Sequence, residues 1–353
     1  MNPDRNRALA AEIRDFALAA RPFVLYTAGC LRARSFTKTA EVLARHCAGR
    51  LVGVADDLAG ERRLRDVPGW GWAADVPVVA DPLDLLGTGI DLVVGIALPG
   101  SRPLLPEHRA CLVSAADAGH RVFNGLHDII DHPRVVNLRA FDGSERILAR
   151  NADFQSSRIL TVGTGVNVGK MTTAHALCGA LVSVGYPADW LPTGQTGMLL
   201  RGFGRCIDAL PGDFGPGVVE ELVMTLESQA DTIVIEGQGS IFHPAYSPVT
   251  VAISHGSRPQ HHVLCHRLDR NERNVIDRLR RAASHYDLLH AALGIRSNLL
   301  AVSLDTSRFD TARVDLTKRV GRELGVPCVD VIRDGAEKIA DALVALAPPD
   351  DQP

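Results

Sequence analysis

Lys170 follows Gly169 directly and precedes Met171, Thr172 and Thr173 in the run Arg158 to Thr173, RILTVGTGVNVGKMTT. A lysine ammonium beside a glycine-rich turn neutralises phosphate oxygens, and a threonine hydroxyl is a hard oxygen ligand for Mg2+. A second group of this kind is Glu236, which closes the apolar run Asp231 to Glu236, DTIVIE. A carboxylate at the end of a strand downstream of a phosphate loop is placed to hold Mg2+ or orient the attacking group. Lys170 and Glu236 are the first catalytic candidates, with Thr172 and Glu236 as the metal ligands. His243, in the proline-framed stretch Ile241 to Pro248, is the third catalytic candidate, because an imidazole there has the chemistry of a general base.

These groups need a strand, a turn and a helix start to hold them. Ile159 to Val162 is β-branched and apolar, as in a buried parallel strand. A small loop follows, and then a helix of AHALCGALVSV character. Backbone N–H groups of such a loop point at an anion, and the helix dipole favours negative charge. The expected cradle is Gly163, Thr164, Gly165, Asn167, Val168 and Gly169 in the loop, with Lys170, Met171, Thr172 and Thr173 at the helix start. Gly163 and Gly169 enclose five residues where the common phosphate loop has four. Met171 occupies the place of the usual metal-binding Ser or Thr, so Thr172 or Thr173 takes that role only if the helix start is offset.

Substrate-binding candidates come from other strand ends. Thr193, Gln195 and Thr196 follow the expected strand Pro187 to Pro192, and Gln238, Ser240 and Tyr246 follow Glu236. Arg258 could pair with a phosphate or carboxylate. Asn124 and His127 follow the expected strand Arg121 to Asn124, and ligands of open parallel sheets sit beyond the carboxyl ends of strands.

Upstream of the loop, a helix over Asn2 to Ala20 precedes strands at 23–29, 51–55, 77–80, 91–97 and 121–124, with helices between them. The fourth of these strands leads into Leu98-Pro99-Gly100. That alternation predicts an α/β protein with a parallel sheet covered by helices. Residues 1–150 read as a Rossmann-like domain without a G-x-G-x-x-G fingerprint, and residues 151–353 as a P-loop nucleoside triphosphate hydrolase-like domain. In the second domain, Ala252 to Ser254 and His262 to Cys265 read as strand ends, and further strands fall at 298–304 and 328–332. Helices are expected over 271–284, 311–324 and 335–346.

Bulk properties narrow the class. The 353 residues are 46% apolar and 22% charged with a net charge of −3, which gives no electrostatic pull toward nucleic acid. Seven cysteines lie scattered without a C-x-x-C pair, as in a reducing cytoplasm. The N-terminus has no apolar signal segment, and no run approaches the ~20 apolar residues of a membrane span. His255, His261, His262 and His266 cluster with Cys265, at spacings that match no standard zinc motif.

The segments LVVGIALPGSR, NGLHD, RILTVGTGVNVGKMTTA, PTGQTG, VIEGQGSIFHPAYS and SHGSRPQHHVLCH together resemble a two-domain P-loop family. Its best-characterised members are described as D-glutamate N-acetyltransferases. The family loop usually reads Gly-Thr-Asp where this chain has Gly163-Thr164-Gly165, so a carboxylate is absent here. The loop, the Gly-Lys pair and the Glu-Gly turn are also similar to those of dethiobiotin synthetase and the cobyrinate amidoligases. The first functional expectation is ATP/Mg2+-dependent activation of a carboxylate as an acyl phosphate, followed by amide formation on a small amino-acid-like substrate. The alternative is transfer of an acetyl group from acetyl-CoA to an amino acid such as D-glutamate, with His243 or His127 as base. A non-catalytic nucleotide-binding regulator is the third. The family fold implies a homo-oligomer.

Overall fold

A computed structural model describes residues 4–98, 102–269, 272–307 and 313–346. Residues 2–3, Pro99 and Gly100 of the fourth strand's loop, and the first two residues of the helix expected over 311–324 lie outside the described residues. In chain order the first elements are α1 (Asp4–Leu18), β1 (Phe23–Tyr26), α2 (Lys38–His46), β2 (Leu51–Ala55), β3 (Val78–Val79) and β4 (Asp91–Val94). Next come α3 (Pro106–Asp117), β5 (Val122–Asn124), β6 (Val135–Asn137), β7 (Ser157–Gly163), α4 (Lys170–Ser183), β8 (Ala188–Leu191) and α5 (Gln195–Arg201). After these lie α6 (Gly215–Glu227), β9 (Thr232–Ile235), α7 (Ser247–Ser257), β10 (His261–Arg267) and α8 (Val275–Ala292). The last are β11 (Asn298–Asp305), α9 (Arg313–Leu324), β12 (Cys328–Val329) and α10 (Glu337–Val344).

The chain forms two compact units, one of residues 1–144 with 195–209, the other of 145–194 with 210–353. The first unit holds a parallel sheet in the order β3-β2-β1-β4-β5-β6, the strand order of dinucleotide-binding folds. Its strands read as continuous apolar runs because both faces are buried. Phe23, Leu25, Val93 and Phe123 pack into one core cluster, whereas Val24, Tyr26, Leu92, Val94 and Val122 pack into the other. That is the period-2 alternation of a strand with no solvent face. Helix α5 belongs to this core through Met198 and Leu199, and a Cβ on Gly202 would lie 2.9 Å from Ala17 in α1. Residues 195–201 therefore form a helix where the sequence suggests only a small-residue loop.

The second unit holds the sheet β12-β11-β10-β7-β9-β8, also parallel throughout. β7 is central, between β10 and β9, so the glycine loop leaves the middle of the sheet and Glu236 leaves the adjacent strand. Residues 252–254 correct the sequence reading. They lie inside α7 and not in a strand, because Pro248 starts a helix in its first turn. Gly256 lets that helix approach α6, where a Cβ would stand 2.3 Å from the Pro216 carbonyl. No described helix is long and apolar enough to cross a membrane.

Candidate functional site

Gly163 ends β7 in a web of hydrogen bonds. Its carbonyl accepts from Ser240 Oγ and from Tyr286 Oη, both at 2.7 Å, and its N–H donates to Tyr286 Oη at 3.3 Å. Tyr286 reaches there from α8 and is fully buried. Asn167 (φ 56°) and Gly169 (φ 98°) take the left-handed conformation, which folds the loop back on itself before α4 begins at Lys170. Turns of this kind gather successive N–H groups into an anion-binding concavity at a helix N-terminus. Lys170, only 7% exposed, donates its Nζ to the Gly165 carbonyl at 2.8 Å, across the loop it would serve.

The helix start divides its hydroxyls. Met171 and Val168 are buried. Thr173 Oγ1 bonds Ser303 Oγ of β11 at 2.7 Å, and Thr172 is partly buried. Glu236, just past β9, is 4% exposed and accepts from the Thr193 N–H at 3.3 Å, while Thr193 Oγ1 donates to the Glu236 carbonyl at 2.7 Å. Gln238 Nε2 bonds the Thr193 carbonyl. Gly237 permits the closest approach in this region, since a Cβ there would fall 1.7 Å from the Thr161 carbonyl oxygen. The second unit thus brings Thr193, Glu236, Gln238 and Ser240 to the strand ends that carry the loop.

His243 stacks on Tyr246 with ring centroids 4.5 Å apart, and its Nδ1 accepts the Ala245 N–H at 3.2 Å. In the neutral ring that bond puts the proton on Nε2, so this geometry presents a donor and not a proton acceptor. Arg258 lies at the opposite end of the strands from the loop. Its carbonyl takes the guanidinium of Arg158, at the start of β7, whereas the loop follows the end of that strand.

The other candidates belong to the first unit. Asn124 is fully buried and committed to its own loop, with bonds to Asp128, Asn137 and the Leu126 N–H. Thr196 Oγ1 bonds Thr39 Oγ1 at 2.8 Å, both buried. Gln195 accepts from Arg139 at 2.9 Å, and Arg139 also pairs with Asp208 at 2.9 Å. His127 stands 4.0 Å from Asp208, and burial together with Arg139 lowers its pKa against the opposing Asp208.

Sequence reasoning passed over two groups that touch the loop, Tyr286 and His266, and a third, Glu272, that holds His266 from behind. Tyr286 has no motif around it. His266 is one of a histidine-rich patch whose spacings match no standard motif, and Glu272 lies outside every strand. In the structure, Thr164 Oγ1 bonds His266 Nδ1 at 2.6 Å and His266 Nε2 bonds Glu272 Oε2 at 2.8 Å. The signal was available in part, because His266 follows the apolar run Val263 to Cys265 near the end of β10. Burial pushes the thiol of Cys265, beside it, up to about 11, which keeps it protonated at neutral pH. No three of the described His, Cys, Asp and Glu side chains converge as a metal-binding group.

A parallel sheet with a left-handed glycine turn, a lysine at the following helix start and a carboxylate just past the neighbouring strand defines a P-loop α/β protein. Residues 139–340 match the family model described as "Domain of unknown function (DUF1611_C) P-loop domain", and the chain belongs to that family. A DUF1611 family protein from Anabaena variabilis has a crystal structure that superposes with a TM-score of 0.78 at 28% identity, over 92% of this chain and 99% of that one. A protein of Tritonibacter scottomollicae named D-glutamate N-acetyltransferase is 32% identical over 72% of this chain and 81% of its own length. A Pseudoalteromonas protein of the same name is 31% identical over 64% of this chain and 73% of its own length. The relatives so named are enzymes.

Proposed function

We propose that this chain forms an amide on the amino group of a small amino acid, with acetyl-CoA as acetyl donor and an acidic amino acid such as D-glutamate as acceptor. The names of its relatives favour that chemistry. The observation that carries the choice of donor is Met171. The position where a phosphate loop of the hydrolysing kind offers a hydroxyl to Mg2+ is a thioether here, 1% exposed, and the Thr173 hydroxyl is already bonded to Ser303. Thioether sulfur does not suit a hard cation. The loop N–H groups, Lys170 and the helix start suit phosphate oxygens without a metal, as the phosphates of CoA require.

The chain's own part in such a reaction is binding and proton management. Lys170 and the loop residues Gly163 to Gly169 would hold the phosphates. A substrate ammonium must lose a proton before its nitrogen attacks. Of the two histidines named from the sequence, His243 belongs to the unit that carries the loop. His243, as an Nε2–H donor, is suited to stabilise a developing oxyanion.

ATP with Mg2+ is the second reading, and a specific observation supports it. Glu236 is a buried carboxylate on the strand next to the loop strand, with partly buried Thr172 as a second oxygen ligand. Thermal denaturation of the purified chain with acetyl-CoA, ATP–Mg2+ and ADP–Mg2+ separates the two, since a ligand selective for the native state raises the midpoint. The proposal expects a rise with acetyl-CoA. A rise with ATP–Mg2+ and none with acetyl-CoA would overturn it in favour of carboxylate activation.

A further inference from the structure

Thr164 and His266 meet where the second sheet changes direction. β7 leads into Thr164, β10 carries His266, and these strands are neighbours. Strands β8 and β9 lie on one side of β7, and β10, β11 and β12 on the other. Ligands of open parallel sheets collect at such a switch point. Thr164 and His266 are 6% and 2% exposed, and the side chain of Glu272 is 8% exposed. Glu272 is steadied in turn by Arg278 Nη1 at 3.3 Å.

Hydrogen-bond chemistry fixes the proton positions. An ionised carboxylate only accepts, so the His266 proton sits on Nε2, facing Glu272. In the neutral ring, Nδ1 then accepts the Thr164 hydroxyl proton. What Thr164 offers the loop in that state is a lone pair, which repels a phosphate oxygen. A proton on Nδ1 reverses the bond. The ring then donates to Thr164 Oγ1, and the hydroxyl proton is released toward the loop.

We propose that His266 is the second cation of the phosphate-binding loop, acting through the Thr164 hydroxyl, so that a phosphate-bearing ligand binds with uptake of one proton from solvent at His266 Nδ1. The proposal rests on the reading of the loop as a phosphate site. Among the described residues, Glu272 and Asp305 face the ring as anions and Arg278 as a cation. Burial holds the free ring below the usual imidazole range against the pull of Glu272, so the proton arrives with the ligand.

The test is calorimetric titration of the full chain with acetyl-CoA at neutral pH, in HEPES and in Tris. Proton uptake appears as a dependence of the apparent enthalpy on the buffer's ionisation enthalpy. Wild type should take up one proton more than Thr164→Val and His266→Gln, and Glu272→Gln should reduce the uptake without touching the loop. Near-UV circular dichroism checks that each variant is folded. Binding without uptake overturns the proposal, as does uptake that persists in both Thr164→Val and His266→Gln. If ATP–Mg2+ binds with Thr164-dependent uptake and acetyl-CoA does not bind, the acetyl-CoA reading fails and the proposal stands. Binding of neither ligand overturns both.

Discussion

Lys170 carries the charge on which every reading of the loop depends. Its Nζ donates to the Gly165 carbonyl within the loop, at 2.8 Å. That bond is easily exchanged for a phosphate oxygen. Lys170→Ala should therefore abolish any ligand-induced rise in midpoint while the unliganded protein stays folded; a variant that keeps the full rise would remove Lys170 from the site. The lysine, the two glycines and Glu236 were legible in the sequence because each is a residue type with few other reasons to occupy its position. The partners of the loop were not. Tyr286 and His266 act from α8 and β10, and only the strand order brings them to Gly163 and Thr164. The sequence also gave no warning that Asn124 and Thr196 are committed to internal hydrogen bonds.

At the scale of elements, the loop strand is fixed from both sides. On one side Gly237 lets the turn after β9 lie against Thr161. Gly237→Ala would put a methyl 1.7 Å from a backbone oxygen that cannot swing away. The expected cost is at least about 3 kcal/mol by urea denaturation, and an unchanged midpoint would contradict that packing. On the other side Tyr286→Phe removes the hydroxyl shared by the N–H and carbonyl of Gly163. Losing a buried partner of this kind costs about 1–3 kcal/mol. The loss should appear in the same denaturation series, together with weaker ligand binding. The strand–loop–helix unit was readable because periodicity and glycine spacing are local signals. Residues 252–254 misled because β-branched runs fit a buried helix as well as a strand, and here the decision lay with Pro248 and Gly256.

Across the whole molecule, stability should fall in acid. His262 and His290 are buried neutral, pushed down to about 3 and about 4 by burial. Unfolding releases them to their ordinary value near 6.5, so the unfolded state binds more protons between that value and the folded ones. Their stabilisation is present above pH 6.5 and is lost as pH falls toward 4 and then 3. The slope approaches about 1.4 kcal/mol per pH unit for each histidine. Urea midpoints that do not change between neutral pH and the acid end of this range would contradict the burial. At this scale the two parallel sheets followed from the βα alternation. The crossing of residues 195–209 into the first unit did not, because a short helix with Met198 and Leu199 is apolar enough for either core.

The most direct test of the central claim is turnover. Purified chain is incubated with acetyl-CoA and D-glutamate, without nucleotide, while free CoA thiol and N-acetylglutamate are measured together. The account predicts release of CoA that requires the amino acid, matched mole for mole by the acetylated product and lost in Lys170→Ala. No CoA release, or an amide product formed only when ATP–Mg2+ is supplied and phosphate is liberated, would contradict it.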